Sequence, residues 1–285
     1  MKQETLAAML EARYFSDGRF TVIMLKLDKD KYIKYINDKD QILNMRKVLD
    51  KIEIVLDKHI VQYTDFFDPY ERRLAKSILN QFSDIAYKEL GGIKEAERKV
   101  ILIYPDYYQY DNMDVPIASL MIEANTQKYS HRDFLGSILN LGINREKIGD
   151  ILIHEDYVQL VVKKEIFEFI LINMRKVGKE KVKVKQIPLE CLRQGHVEYK
   201  DILITIPSLR LDAIISGGLN LSRNDSQRLI ESERVKVNWE PVSRVSKEVL
   251  EGDTISVKGY GRFILNSVEG ISKKGRVRIK IRLLK

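Results

Sequence analysis

The chain has 285 residues, 44% hydrophobic and 32% charged, with a net charge of +8 at pH 7. That length and apolar content suffice for two or three modest cores and exclude a disordered chain. A single cysteine, Cys191, excludes an intrachain disulfide and a multi-cysteine zinc site, and fits a reducing compartment.

The start Met1-Lys2-Gln3-Glu4 lacks a basic head followed by an apolar run. The most apolar stretch, Ile166 to Met174, is interrupted by Glu168 and Asn173 and is well short of a membrane span. A cytoplasmic protein without a membrane partner is expected. Residues 1–27 form an N-terminal extension, with a turn at Ser16-Asp17-Gly18 and a short apolar run from Phe20 to Met24. The 28–98 region is expected to be a mainly helical domain. Ile42, Met45, Val48, Leu49, Ile52, Val55 and Leu56 keep helical spacing, and Tyr70, Leu74, Ile78, Phe82 and Ile85 repeat it after Asp68-Pro69. Proline suits a first helical position because the N–H it lacks would be unsatisfied there, so Asp68 is read as the cap.

From residue 99 to 190 the texture changes to short β-branched runs. Val100–Tyr104, Val115–Glu123, Asp150–His154, Tyr157–Val162 and Val182–Ile187 read as strands, with helices near His131–Leu141 and Lys164–Val177. From Val115 the order strand, helix, strand, strand, helix, strand predicts a ferredoxin-like domain, an arrangement also used by readers of single-stranded RNA. The fold class is therefore α+β. Residues 191–207 are expected to be a connector, and 208–285 a small separate domain.

That last domain carries the charge. From Ser208 to Lys285 there are 16 Lys+Arg against 9 Asp+Glu, which is +7 of the total +8. A basic module on a nearly neutral body suits a polyanion partner, because neutralising phosphates releases condensed counterions; a solvated basic face is the bland alternative. Leu211, Ile214 and Ile215 form the apolar face of one helix, which Gly217-Gly218 is expected to end. Ser222 begins the next, with Asp225 as a variant capping box. Val235-Lys236-Val237-Asn238, Asp253–Lys258 and Arg276–Arg282 read as strands with one aliphatic and one polar or cationic face. The last of these could extend a binding surface or keep an edge strand charged against aggregation.

Arg210-Leu211-Asp212-Ala213, Leu221-Ser222-Arg223-Asn224, Gln227-Arg228-Leu229-Ile230 and Val235-Lys236-Val237-Asn238, in that order, resemble the alpha-L RNA-binding fold first named for ribosomal small-subunit protein four. Further motifs widen the likeness. Thr64-Asp65-Phe66 with Asp68-Pro69, Gly91-Gly92 with Ala96-Glu97-Arg98, His131-Arg132-Asp133 with Leu135-Gly136, Gly142 with Arg145-Glu146, and Gly149-Asp150-Ile151 are similar to the YlmH family of bacterial RNA-binding proteins. Val237-Asn238-Trp239, with tryptophan where many related domains have glycine, and Gly259-Tyr260-Gly261-Arg262-Phe263 fit as well. The resemblance runs from about residue 40 to the end; the segment before about residue 24 has no counterpart. It implies a cytoplasmic, non-catalytic factor; a monomer without cofactor or metal is expected. Such a factor would bind ribosomal RNA of the large subunit and be linked to rescue of subunits obstructed by peptidyl-tRNA.

Candidate RNA contacts are Arg210, Ser222, Arg223, Gln227, Arg228, Lys236, Asn238, Arg244, Lys258 and Arg262, the cations for phosphate and the polar side chains for backbone or sugar. Ser222 reads as a cap ahead of a contact. Arg223 is the strongest candidate, since a cation inside a helix N-terminus gains nothing from the dipole. Asp212 is read as orienting Arg210, and Trp239 as core packing ahead of base stacking.

The alternative is an RNA-modifying enzyme, because Arg210-Leu211-Asp212 resembles the catalytic aspartate motif of pseudouridine synthases. Only about 70 residues follow it, and upstream there is no phosphate-binding glycine loop, His-Glu-x-x-His or nucleophile elbow. His131-Arg132-Asp133 lacks the companion elements of a kinase and reads as a helix start. His59, His154 and His196 share no metal-ligand spacing with one another or with Cys191. The cluster Tyr104, Tyr107, Tyr108 and Tyr110 sits among aspartates, which favours structural or protein contacts over phosphate.

Overall fold

Caps and apolar spacing set the first elements of the computed structural model, which describes residues 27–109, 114–196 and 198–284. Helix α1 (Lys29–Ile33) precedes α2 (Lys39–Lys58), whose N-terminus is closed by the Asp38 carboxylate accepting from Gln41 N at 2.9 Å. Met45, Val48, Leu49, Ile52 and Val55 form its buried stripe, as their spacing predicts. A two-residue strand, β1 (Gln62–Tyr63), leads to α3 (Pro69–Leu79). Here Asp68 accepts from Glu71 N at 2.9 Å while the Glu71 carboxylate accepts from Asp68 N at 2.8 Å, a reciprocal capping box that makes Asp68 structural. The helix stops at Leu79, and Ile85, expected on its face, instead opens β2 (Ile85–Leu90).

Strand β3 (Val100–Pro105) was expected to open the central domain, yet it is the middle strand of the first sheet, ordered β1-β3-β2 and wholly antiparallel. Every residue of it is buried, which explains its unbroken apolar run. Ile101 and Ile103 join the core under α2 and α3, while Val100 packs with Phe66, Leu152 and Val161. The 28–98 region is mainly helical as expected, but a three-stranded sheet backs its helices, and the 99 boundary falls inside that sheet. The expected turn and apolar run of the 1–27 extension lie outside the described residues, apart from Leu27.

The central domain follows the expected order: β4 (Ile117–Glu123), α4 (His131–Leu139), β5 (Ile148–Ile153), β6 (Tyr157–Lys163), α5 (Lys164–Asn173), a small hairpin of β7 (Lys176–Val177) and β8 (Glu180–Lys181), and β9 (Lys183–Ile187). Its sheet, β5-β6-β4-β9, is antiparallel throughout, the ferredoxin-like arrangement. The Asp133 carboxylate accepts from Ser130 N at 2.8 Å, so His131-Arg132-Asp133 is a helix start.

The two sheets are joined through motifs that carried the family resemblance. Half-buried Asp150 accepts from the backbone N–H groups of Glu97 (2.7 Å) and Arg98 (2.9 Å). The Arg98 guanidinium donates to the carbonyls of Phe66 (2.6 Å) and Ile148 (3.0 Å), and Phe66 N donates to Glu146 O at 2.8 Å. Gly149 is glycine because a Cβ there would lie 2.7 Å from the Phe66 ring. Beside this seam, buried Lys163 donates to Thr64 O at 2.8 Å and sits 4.3 Å from the Tyr63 ring centroid. Burial pushes its ammonium down to about 8.

The chain divides into two units between Gln194 and Gly195. In the second, β10 (Tyr199–Ile206), α6 (Leu211–Leu219), α7 (Arg223–Glu231), β11 (Val235–Val237), β12 (Glu240–Pro241), β13 (Thr254–Val257), β14 (Gly261–Ile271) and β15 (Val277–Leu284) build one antiparallel sheet, ordered β10-β15-β14-β13-β11-β12, with the helix pair packed on it. Two expectations change. The connector contains β10, paired with β15 along its whole length, so the last unit begins before residue 208. Strand β15 lies between β10 and β14, which removes the edge-protection reading of its charges.

The Gly217-Gly218 pair does not end α6 either; the helix runs to Leu219 and is capped by Asn220 in the left-handed region (φ 53°). A Cβ at Gly217 would lie 3.0 Å from Ile204 and Ile206, and one at Gly218 3.0 Å from Ile281. The pair is there for close approach of helix to sheet.

Two measurements check the seam of the first unit. Gly149→Ala should lower unfolding free energy by about 1–3 kcal/mol in denaturant titration, because Phe66 must move. For Lys163 the folded pKa lies below the unfolded value, so the unfolded chain binds more protons between about 8 and 10.5 and stability rises with pH across that window. Denaturation midpoints should show that contribution in the native chain and not in Lys163→Met.

Candidate RNA-binding surface

The helix pair of the second unit is organised around one carboxylate. Asp212, in the first turn of α6, has a fully buried side chain. It accepts from Arg210 Nε (3.2 Å) and Nη2 (3.3 Å), from Arg223 Nη2, and from Gln227 Nε2 (3.3 Å). Burial acts to raise its pKa, but the hydrogen bonds from Arg210, Gln227 and Arg223 outweigh it and hold the carboxyl below the usual range. Asp212 is therefore ionised at neutral pH, and it fixes two guanidinium groups whose side chains remain 46% and 39% exposed. Arg223 opens α7, where the helix dipole opposes a cation, and its Nε is buried with no hydrogen-bond partner. Both features cost stability, and the position of the guanidinium is maintained against them.

Ser222 caps α7: its Oγ accepts from Asp225 N at 3.0 Å and donates to the Asp225 carboxylate at 2.6 Å. Arg228 extends from the same helix with its side chain 81% exposed. Thus Arg210, Arg223 and Gln227 are tied to one hub, and Ser222 and Arg228 flank it on α7.

A second group lies on the sheet. Register places Lys236 opposite Ser256 and Ser256 opposite Arg262, so three strands carry a lateral row Lys236-Ser256-Arg262. Val235, Val237, Ile255, Val257 and Phe263 alternate with that row and fill the core beneath. Arg262 donates through Nε to Ser256 Oγ at 3.2 Å, and its guanidinium carbon lies 5.1 Å from the centroid of the Trp239 ring. Ser256 was not foreseen, although the alternation of Thr254-Ile255-Ser256-Val257 contains it. Lys258 and Arg244 are exposed, the latter donating to Ser246 Oγ at 3.3 Å.

Asn238 has a structural task. Its Nδ2 donates to Asp253 at 2.7 Å, its Oδ1 accepts from Thr254 N at 2.9 Å, and its own N–H donates to Thr254 O at 2.8 Å. Trp239, expected in the core, is half-buried and stands outside the buried cluster of its unit. The late-strand cations Lys280 and Arg282 bind Asp201 of β10 at 3.0 and 2.8 Å, and Arg282 and then Lys280 hold that carboxyl down to about 2. Among the described residues no group of three or more His, Cys, Asp and Glu is placed to hold a metal ion, and no helix is long and apolar enough to cross a membrane. In the tyrosine cluster, Tyr104 is buried in β3, while Tyr108 donates to His59 O at 2.8 Å and meets Tyr107 edge-on at 5.2 Å; Tyr110 lies outside the described residues.

Three family profiles match. "YlmH, N-terminal" covers residues 40–108, "Putative RNA-binding domain in YlmH" covers 110–191, and "S4 domain" covers 209–255. The first two meet beyond β3, in accord with its place in the first sheet. "Ribosome-associated protein quality control protein P2" of Bacillus subtilis (strain 168) is 32% identical over 243 residues, spanning 85% of this chain and 94% of that protein. The solved structure of "Cell division protein ylmH" from Streptococcus pneumoniae is similar at 27% identity and a TM-score of 0.47, over 54% of this chain and 94% of that one.

Replacing Asp212 by Asn should cost at least roughly 1.5–3 kcal/mol, the range for one hydrogen bond to a charged group, as read from thermal or denaturant unfolding. The folded pKa of Asp212 lies below its unfolded value. Its contribution is thus full above the unfolded carboxyl pKa and is lost as pH falls through the folded one; acid titration of Asp212→Asn should lack that component.

Proposed function

The chain belongs to the YlmH family, and on that footing we propose that it grips structured ribosomal RNA of the large subunit through its second unit and acts in rescue or quality control of subunits obstructed by peptidyl-tRNA. The observation that carries this reading is the buried, ionised Asp212, which holds Arg210 and Arg223 at the N-terminal ends of two helices and Gln227 a turn further along the second. Fixed guanidinium groups at a helix pair are suited to phosphate oxygens, which they can meet with two parallel N–H donors each. Lys236 and Arg262 on the sheet and exposed Arg228 supply further phosphate contacts. The name of the Bacillus subtilis relative supports ribosome association and a quality-control role.

The first unit is proposed to contact peptidyl-tRNA or ribosomal protein while the second holds rRNA. The protein acts as a cytoplasmic monomer and catalyses no reaction. Asp212 supports the last point: every donor it meets is a side chain of its own unit, and its carboxylate has no exposed surface to offer a nucleobase. Incubation with ribosomes is therefore expected to leave the mass of every rRNA and tRNA nucleotide unchanged.

Cosedimentation with large ribosomal subunits across a salt series tests the reading. Binding should weaken steeply with salt, and Arg228→Glu and Lys236→Glu, both outside the Asp212 network, should each reduce the salt slope by about one. Arg210→Gln and Arg223→Gln should weaken binding further. Absence of salt-sensitive binding to both empty and tRNA-blocked subunits would overturn it.

A further inference from the structure

Strands β11 and β12 are joined by a two-residue turn in which Asn238 (φ 50°) and Trp239 (φ 66°) both occupy the left-handed region. Hairpin turns of this kind select Asn and Gly, and asparagine at the first position is ordinary. A bulky aromatic at the second is an outlier, since its Cβ crowds the backbone where glycine would be relaxed. Such conformations persist where the surroundings over-determine them, and they cluster at ligand-binding sites. Here the surroundings are plain: three hydrogen bonds pin Asn238 to Asp253 and Thr254. The strain does not serve core packing, because the Trp239 ring is only half-buried and outside the apolar cluster. What it achieves is to stand an indole at the end of the sheet, with the Arg262 guanidinium 5.1 Å from its centroid and Lys236 in the same lateral row as Arg262.

We propose that Trp239 is a stacking platform for an unpaired nucleobase of RNA, with Arg262 and Lys236 taking the phosphate beside that base. This rests on the RNA-binding reading and adds to it a preference: the second unit takes RNA at a loop, bulge or flipped base rather than along a continuous duplex. An aromatic face recognises any exposed base, whereas a paired base offers it no free surface.

The full chain contains a single tryptophan, so its intrinsic fluorescence reports this position alone. The probes are an RNA hairpin with an unpaired purine-containing loop and the fully paired duplex of the same stem. Expected are quenching of indole emission by the hairpin, much less by the duplex, and a loss of hairpin affinity of about tenfold or more in Trp239→Gly. That variant should melt no lower than the native chain, because glycine relaxes the turn, and Trp239→Phe should keep most of the affinity. Salt-sensitive hairpin binding with unchanged emission and undiminished affinity in Trp239→Gly would overturn the stacking site and leave the RNA reading standing. Equal losses for hairpin and duplex, or a loss matched by a lower melting temperature, would make Trp239 structural and overturn it as well. If neither probe nor the large subunit is bound by the native chain, both readings fall.

Discussion

A carboxylate taken out of water must be met by donors, and in this protein that requirement organises the helix pair of the second unit. Asp212 has no exposed surface of its own, and it is answered by three side chains drawn from two helices. The helices cannot shift relative to one another without leaving a buried charge short of donors, a change that costs several kcal/mol when a buried ion loses its partner. The same group that fixes the helix pair therefore fixes the direction of two guanidinium groups. Asp150 plays the corresponding part in the first unit, where the backbone N–H groups of Glu97 and Arg98 meet it and Arg98 reaches on to Phe66 and Ile148.

Much of this was legible in the sequence because it rests on local signals. Caps at Asp68 and Ser222, the apolar stripe of α2 and the order of elements in the ferredoxin-like domain depend on residues a few positions apart. What was misread depends on pairing across long separations. Val100–Tyr104 has the texture of the strands that follow it, and only its pairing with β1 and β2 assigns it to the first sheet. Tyr199–Pro207 looked like a connector because β10 finds its partner about 80 residues later, in β15. Gly217-Gly218 carries the usual signal of a helix end, but the pair answers to the closeness of Ile204, Ile206 and Ile281. No local rule distinguishes these two uses of glycine.

The candidate contacts divide in the same way. Arg210 and Arg223 could be named from type and position, whereas the hub that joins them to Gln227 required the fold. Asn238 was chosen as a polar residue beside a basic strand, and its amide proves to be the clamp of a turn. Trp239 was assigned inward on the burial habit of tryptophan, a statistical tendency that the left-handed backbone at this site defeats.

Net charge alone would have overstated the binding face. The last strand contributes Lys280 and Arg282 to the local excess of +7, yet both are bound to Asp201 on the adjacent strand, which their proximity keeps ionised down to about 2. Those two cations mainly join β15 to β10 and offer less to a phosphate. The row of Lys236 and Arg262 and the helix pair carry cations that Asp201 does not hold. Count and location of charge are separate quantities here, and the location is set by one aspartate that neutralises and another that orients.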